Sequence, residues 1–565
     1  MLRFARELCR KVLRGRGWNP SRRSFSELTE EEQEDLTFGD VRKIAAEKLI
    51  QLANKHLGSA HGDCVIEGAK EGSYNRVNIM LFTDGTKCTI RIPAHGTVQN
   101  WTEEDAFELR SQALTMMLIK RKTDVPVPEV IAYNNSCDND LGAPYMLTSF
   151  LEGKRICDVW GEGLDRITIA KETENEAMRL RILRSVAFTM SGLRALSFDF
   201  AGGLYFEHDL DDAPSIGAKF ELEEPDYYTR TTSFGECYCG TSRYLESKLE
   251  EWCKLINPDT EEGILDQGRR HILELALDCL PGKKSTMLED MRAHELLLLK
   301  QWGKIDVDDG VDEEVEREEE EKVCALTAEG NTPCPGPVET DTKANVEVAA
   351  AGFMAAASEN VDQDRSSGDH RGEADSMESS TSTTTRSIQN DCETFVLVPP
   401  DFDWQNVLVD DDGNVTGLLD WDGVCTVPRF RGFASMPLWL QQDYSPEWHW
   451  EGTRGNSDHD LARYRRAYAN FMAEAMNNEG DCKYTAKSPI LDVLVAACHK
   501  ENEGWADHAA RTILRMLLPR TDITEYFKRI GDAEQAPRPG ESPWLMERLK
   551  ELLECKPGWD DRYCI

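Results

Sequence analysis

Residues 399–423 read PPDFDWQNVLVDDDGNVTGLLDWDG. Two apolar runs, VLV at 407–409 and VTGLL at 415–419, flank the turn-forming DDDGN at 410–414. That pattern predicts a β-hairpin. A hairpin brings the loop before its first strand beside the end of its second. Asn406 and Asp420 can then converge on one ion, with Asp401 close by. One amide oxygen and one carboxylate suit Mg2+, which prefers oxygen ligands and keeps part of its shell for water and phosphate. Asp401 is left free to take a proton from a substrate hydroxyl. The aspartates inside the turn, Asp410 to Asp412, are read as solvated turn residues. Asp403 and Asp422 are read as hydrogen-bonded scaffold carboxylates.

An Asp, an Asn five residues on and a downstream metal-side Asp form the phosphoryl-transfer constellation of protein kinases. The flanking words narrow it. DWDGV followed by Pro428, EGSYNRV at 71–77, TIRIP at 89–93, TDVPVPEVIAY at 123–133 and LGAPYMLTSFLEG at 141–153 together resemble the aminoglycoside phosphotransferase and choline kinase-like family, in its fungal branch. The resemblance covers roughly 36–153 and 392–440. It implies a protein-kinase-like α+β fold of two lobes, a small antiparallel-sheet lobe and a larger helical lobe. It also implies ATP and Mg2+ as cofactors and a small-molecule hydroxyl as acceptor. Carried onto this chain, Asp401 is the catalytic residue, and Asn406 and Asp420 hold the metal. Gly72, Ser73 and Asn75 form the loop over the phosphates, and Arg91 is the cation that clamps them. Gln112 stands at the helix position that partners this cation. Thr148 and Leu151 mark the hinge that meets adenine.

Three positions depart from the family pattern. Pro399 stands where a loop-bracing His is usual, and a proline fixes φ but donates no hydrogen bond. Arg91 replaces a Lys, and Arg is a good bidentate phosphate ligand; Lys87 is a second candidate on the same strand face. Gln112 replaces a Glu, so the helix offers Arg91 an amide and no charge, with Glu108 one turn earlier as a substitute. These departures keep a second reading open, a degenerate kinase that binds nucleotide or a partner without turnover. Restoring Glu at 112 and His at 399 is expected to separate the two readings. A third class, an interaction protein organised by an acidic insert, leaves the Asp401, Asn406 and Asp420 set unexplained. There is no GxxxxGK[ST] and no GxGxxG opening a helix, and GKKS at 282–285 lacks the spacing.

Outward from these motifs, the order is three antiparallel strands over 63–93, a helix over 103–122 stopped by Pro126 and Pro128, and two more strands. Asp84-Gly85 is the hairpin signal, both positions being open to positive φ. Helices are expected over 174–196, 242–256, 261–280, 286–303, 459–476, 488–499, 503–517 and 543–554. The expected organisation is a basic arm at 1–25, a small lobe at 36–153, the large lobe at 154–304 and 392–565, and an acidic insertion at 305–391. The insertion holds 23 acids and 6 bases. It is too poor in apolar residues to offset the entropy of ordering and reads as disordered.

The chain of 565 residues carries a net charge of −38. That argues against a general nucleic-acid binder and favours a cationic ligand. Trp448 and Trp450 beside Glu447 and Glu451, the DHD at 458–460 and the 203–240 region are the candidates to hold one. The 17 cysteines include no CxxC pair, which argues against a zinc module or a disulfide scaffold. No apolar run is long enough to span a membrane. The first 25 residues carry eight Arg or Lys and one acid, Glu7, with apolar residues at helical spacing. They read as a mitochondrial presequence or as a basic disordered arm, giving a mitochondrial-matrix or cytoplasmic location.

Overall fold

The computed structural model describes residues 38–160, 169–223, 231–234, 237–254, 256–257, 259–281, 393–444, 457–498, 503–532 and 543–559. The basic arm, the acidic insertion, the helix expected over 286–303 and the EWHWEG stretch at 447–452 lie outside the described residues.

The small lobe is built on a five-stranded antiparallel sheet. After helix α1 (Ala46–Ala53), strands β1 (Cys64–Glu71), β2 (Asn75–Phe82) and β3 (Lys87–Pro93) precede helix α2 (Glu103–Lys122). Strands β4 (Val130–Asn134) and β5 (Tyr145–Ser149) follow, and the sheet order is β1-β2-β3-β5-β4. Alternation explains the face buried against α1: Met80, Ile90 and Ile92 are fully enclosed with Leu49 and Ala53. Each such side chain contributes roughly 1.5–3 kcal/mol. At the β2–β3 turn, Gly85 has φ +90 and Asp84 does not enter the positive region. Phe82 and Thr86 pair across a three-residue loop, so one glycine in the left-handed region is all the turn requires.

Helix α2 starts with a reciprocal cap, in which Thr102 Oγ1 accepts from Asp105 N–H and the Asp105 carboxylate accepts from Thr102 N–H. It ends at Thr123, whose backbone turns extended (φ −141, ψ 164) before either proline is reached. Residues Ser111 to Met116 are all buried, six in a row and hence around the whole circumference. A helix buried on every side is wedged between two bodies, here the sheet and the large lobe.

The large lobe begins with β6 (Lys154–Arg155), α3 (Ile156–Trp160) and α4 (Ile169–Ser191). Strands β7 (Gly202–Tyr205) and β8 (Ser215–Gly217) form a hairpin whose loop clasps α2. Ser111 donates to the Leu204 carbonyl at 2.8 Å, Arg110 to the Phe206 carbonyl at 2.6 Å and Arg121 to the Asp211 carbonyl at 3.0 Å. The Phe107 and Tyr205 rings lie 4.4 Å apart. Asp209 and Asp212 add ion pairs to Arg110 and Arg121, but both carboxylates are half exposed and such pairs contribute little.

Beyond β9 (Phe220–Glu223) and β10 (Thr231–Phe234) come α5 (Thr241–Cys253) and α6 (Glu261–Leu277). Strand β11 (Phe395–Leu397), the hairpin β12 (Val407–Val409) and β13 (Val415–Leu418), and β14 (Cys425–Pro428) follow. Helices α7 (Asp458–Ala475), α8 (Ser488–Cys498), α9 (Glu503–Leu517), α10 (Ile523–Gly531) and α11 (Pro543–Leu553) complete the lobe. One core gathers α4, α7 and the β12–β13 hairpin, and a second gathers α5, α6 and α8 to α11. Helices α6 and α10 meet backbone to backbone: a Cβ on Gly531 would lie 1.9 Å from the Ile264 carbonyl oxygen. Every helix expected within the described residues is present, within a few residues at its ends. The sequence reading missed α1, α3, α10 and the four-stranded sheet β11-β14-β7-β8. The chain is an α+β protein of two lobes, and every paired strand among the described residues is antiparallel. No helix among the described residues is long and apolar enough to cross a membrane.

Candidate active site

The β12–β13 hairpin sets the site. Its turn closes with Asp410 N–H donating to the Asn414 carbonyl at 2.9 Å and Gly413 at φ +85. At its open end Leu419 N–H donates to the Asn406 carbonyl at 2.8 Å, which places Asp420 beside Asn406. The Asn406 amide donates to Asp401 twice, to Oδ2 at 2.8 Å and to the main-chain carbonyl at 3.0 Å. Gln405 adds a donor to Asp401 Oδ2 at 3.1 Å. Asp420 takes φ +58, a left-handed conformation that Asp tolerates better than most residues. That bend lets Asp420 and Asp422 both face the small lobe while Trp421 between them is buried.

Pro399 is buried, and the loop after it is braced from elsewhere. Leu438 N–H donates to the Phe402 carbonyl at 3.0 Å. The Phe402 ring meets Trp439 edge-on at 5.8 Å. Apolar packing and backbone bonding therefore hold the segment after Pro399.

Across the cleft, Arg91 Nη2 reaches Asp420 Oδ1 at 3.3 Å and makes a close ion pair with Asp422 Oδ2. Asn75 donates its side-chain amide to Asp422 Oδ2 at 2.8 Å. Gln112, 4% exposed, donates to Asp422 Oδ1. This corrects the reading that its amide serves Arg91. Glu108 is not a solvated helix residue: it accepts from Gly423 N–H at 2.7 Å and its charge acts on Arg91. Lys87 is taken by Glu67 at 2.9 Å and does not share Arg91's role. Gly72 and Ser73 lie at the exposed tip of the β1–β2 turn, which Gly72 N–H closes onto the Asn75 carbonyl at 3.0 Å.

Thr148 is a sheet residue and not part of the hinge. It lies within β5, 7% exposed, with its hydroxyl 2.7 Å from that of Thr89. Ser149 N–H is spent on Glu129. The connection between lobes starts with Phe150 and Leu151, and Leu151 packs over Gly417, where a Cβ would come within 2.7 Å of it. Asp460 of the DHD motif donates its N–H to the capping Ser457 hydroxyl, accepts from that hydroxyl through its carboxylate and pairs with Arg463 at 2.9 Å, so it serves the helix. The 203–240 region supplies the hairpin that grips α2.

Burial, then repulsion by Asp422 and Asp401, pushes the Asp420 carboxyl up to about 6 against the pull of Arg91, although its side chain stays 40% exposed. A dication beside it would reverse that shift. Among the described residues no three His, Cys, Asp or Glu side chains gather to hold an ion unaided. The donors that do converge, Asn406 and Asp420, are hard oxygens in a field of crowded negative charge. They fit Mg2+ that draws its remaining ligands from phosphate and water.

Asp403, 4% exposed, accepts from Trp404 N–H at 2.9 Å. Burial, and next the charge of Asp401, raises its pKa to about 6. An unfolded Asp titrates near about 4. Between these values the folded chain holds the proton more tightly, so stability falls as pH rises from about 4 to about 6, and the loss is complete above that. An Asn there keeps the acceptor oxygen and removes the charge. Asp403→Asn is expected to stabilise the protein by about 1–2 kcal/mol at pH 7.5 and negligibly near pH 4. Urea midpoints at the two pH values check this, and a less stable variant at pH 7.5 would count against it.

No family model matches the chain. It is 25% identical over 200 residues to the Altered inheritance of mitochondria protein 9, mitochondrial, of Debaryomyces hansenii, covering 34% of this chain and 30% of that protein. It is 24% identical over 194 residues to the protein of the same name in Candida albicans, covering 32% and 29%. The chain thus spans less than a third of the length of these curated relatives. Among solved structures, the apoenzyme of macrolide 2'-phosphotransferase MphH from Brachybacterium faecium superposes over 84% of this chain and 99% of its own, at 14% identity and a TM-score of 0.33.

Proposed function

We propose that the protein is an ATP-dependent phosphotransferase acting on a hydroxyl of a small, cationic metabolite. The observation that carries this is the gathering of Asp401, Asn406 and Asp420 at the open end of one hairpin, where Asn406 donates to Asp401 and Asp420 lies 3.3 Å from Arg91. Asn406 and Asp420 would hold magnesium, which when bound neutralises charge on the transferred phosphate. Asp401, fixed by the Asn406 and Gln405 amides, would orient the acceptor hydroxyl and take its proton. Arg91 would clamp the phosphates, and the main chain of Gly72 to Asn75 would cover them. Positioning and charge neutralisation supply most of the acceleration in such reactions. The chain's charge of −38 favours a cationic acceptor. The basic amphipathic start, together with the names of the relatives, supports a mitochondrial location.

One observation favours the second reading, nucleotide binding without turnover: the Arg91 guanidinium lies 3.3 Å from the Asp420 carboxylate that would meet the metal. Binding of ATP by the purified protein, with and without Mg2+, tests both readings. Asp420→Ala is expected to weaken magnesium-dependent binding by about 10–100-fold, the scale of one lost charged ligand. Equal binding with and without the ion, in wild type and variant alike, would overturn the assignment of the metal site.

A further inference from the structure

Asp422 collects donors from three separate elements of the small lobe. Its Oδ2 takes Asn75 from the start of β2 and Arg91 from β3, and its Oδ1 takes Gln112 from α2. We infer that Asp422 is a positioning residue that supplies Arg91 with the counter-ion a helix carboxylate would otherwise provide, and that Gln112 is an amide because it faces Asp422 rather than Arg91. The inference rests on the nucleotide-binding reading of Arg91 and extends it to residues that touch neither nucleotide nor acceptor.

The physical case has two parts. A largely enclosed guanidinium needs a carboxylate with good hydrogen-bond geometry, and the Arg91 side chain is 19% exposed. Asp422 makes the closer pair with Arg91, so that Asp420 carries only the longer one, at 3.3 Å. A carboxylate at 112 would set two like charges at hydrogen-bonding distance inside a buried contact, which disfavours both. The exchange that the sequence alone suggests would restore turnover, Gln112→Glu, is therefore expected to lower it. Asp422→Asn has a different fault. It leaves Arg91 with Asp420 as its remaining paired carboxylate and draws the metal-side group onto the cation.

The polarity of the pair can, however, be exchanged. Gln112→Glu combined with Asp422→Asn again gives one carboxylate and one amide. Asn at 422 can accept from Arg91 through its oxygen and donate to the new carboxylate through its nitrogen. The four proteins are compared for Mg·ATP binding by calorimetry and for melting midpoint without nucleotide. Each single variant is expected to bind at least about tenfold more weakly than wild type and to melt several degrees lower, with the pair recovering to within about threefold of wild type. A role in packing alone would move the midpoints but not the affinity of the folded protein. Wild-type affinity in Gln112→Glu, or a pair no better than the weaker single variant, would overturn the inference. If a single variant does not fold, the pair decides: folded and binding upholds the inference, and unfolded refutes it. If wild type binds no nucleotide, the phosphotransfer reading falls, and recovery or non-recovery of the melting midpoint in the pair still decides whether Asp422 and Gln112 are matched.

Discussion

Asp401→Asn is expected to lower phosphate transfer by about a thousandfold, the usual scale of a lost general base, with Mg·ATP affinity within a factor of about two of wild type. The asymmetry follows from the contacts. Asn406 and Gln405 both donate to Asp401 Oδ2, and an asparagine oxygen can accept the same bonds. The loop, and with it the position of Asn406, is retained. What disappears is a carboxylate able to receive the hydroxyl proton. Label transferred from ATP to a panel of amino alcohols and amino sugars measures the first quantity, and calorimetry the second. Turnover equal to wild type would remove Asp401 from the chemistry. A parallel loss of nucleotide affinity would show instead that the residue belongs to the ion's ligand set.

Phe402→Ala is expected to cost about 3–5 kcal/mol of stability, the range for deleting a fully enclosed aromatic side chain. Phe402 is 4% exposed and leans on Trp439, itself fully buried between Phe402 and Trp160. It also adjoins Asp401 in sequence, and its carbonyl anchors Leu438. The void would open directly behind the proposed base. Turnover per folded molecule should therefore fall along with the urea midpoint. Phe402→Leu, which keeps much of the volume, should recover most of both. If the alanine variant keeps wild-type turnover at temperatures where it is folded, the loop does not depend on this ring and another contact braces it.

Much of the candidate site's geometry was legible because it is local. Asp401, Asn406 and Asp420 lie on one hairpin, and VLV-DDDGN-VTGLL specifies its own register. The bounds of helix α2 were legible, although it ends at Thr123 and not at the prolines, and it is buried on every side. Much of what escaped the reading is nonlocal. The sheet β11-β14-β7-β8 joins strands of three or four residues drawn from both sides of the acidic insertion, too short and too glycine-rich to show a pattern. The role of Asp422 could not be read from DWDG, since its donors arrive from 310 to 347 residues away. Helix α10 did carry a signal. Asp522 caps the amides of Thr524 and Glu525, and an Asp followed three residues later by Glu before an apolar run is an N-terminal helix signature. The Thr148 reading failed for a plain reason: the sequence marks where β5 begins but not how many of its residues the neighbouring strands claim.

The grip of the β7–β8 hairpin on α2 bears on how the cleft can open. A helix bound through Ser111, Arg110 and Arg121 to carbonyls of the large lobe moves as a passenger of that lobe. The small lobe is then divided mechanically: its sheet is the mobile jaw, and its helix belongs to the fixed one. Opening becomes a slide of the sheet across α2 instead of a swing of the helix. The bonds such a slide would strain are those that Asn75 and Arg91 carry across to Asp422 and the one from the Asn135 amide, just past the end of β4, to the Ala106 carbonyl of α2, while the bond from Gln112 would stay at rest.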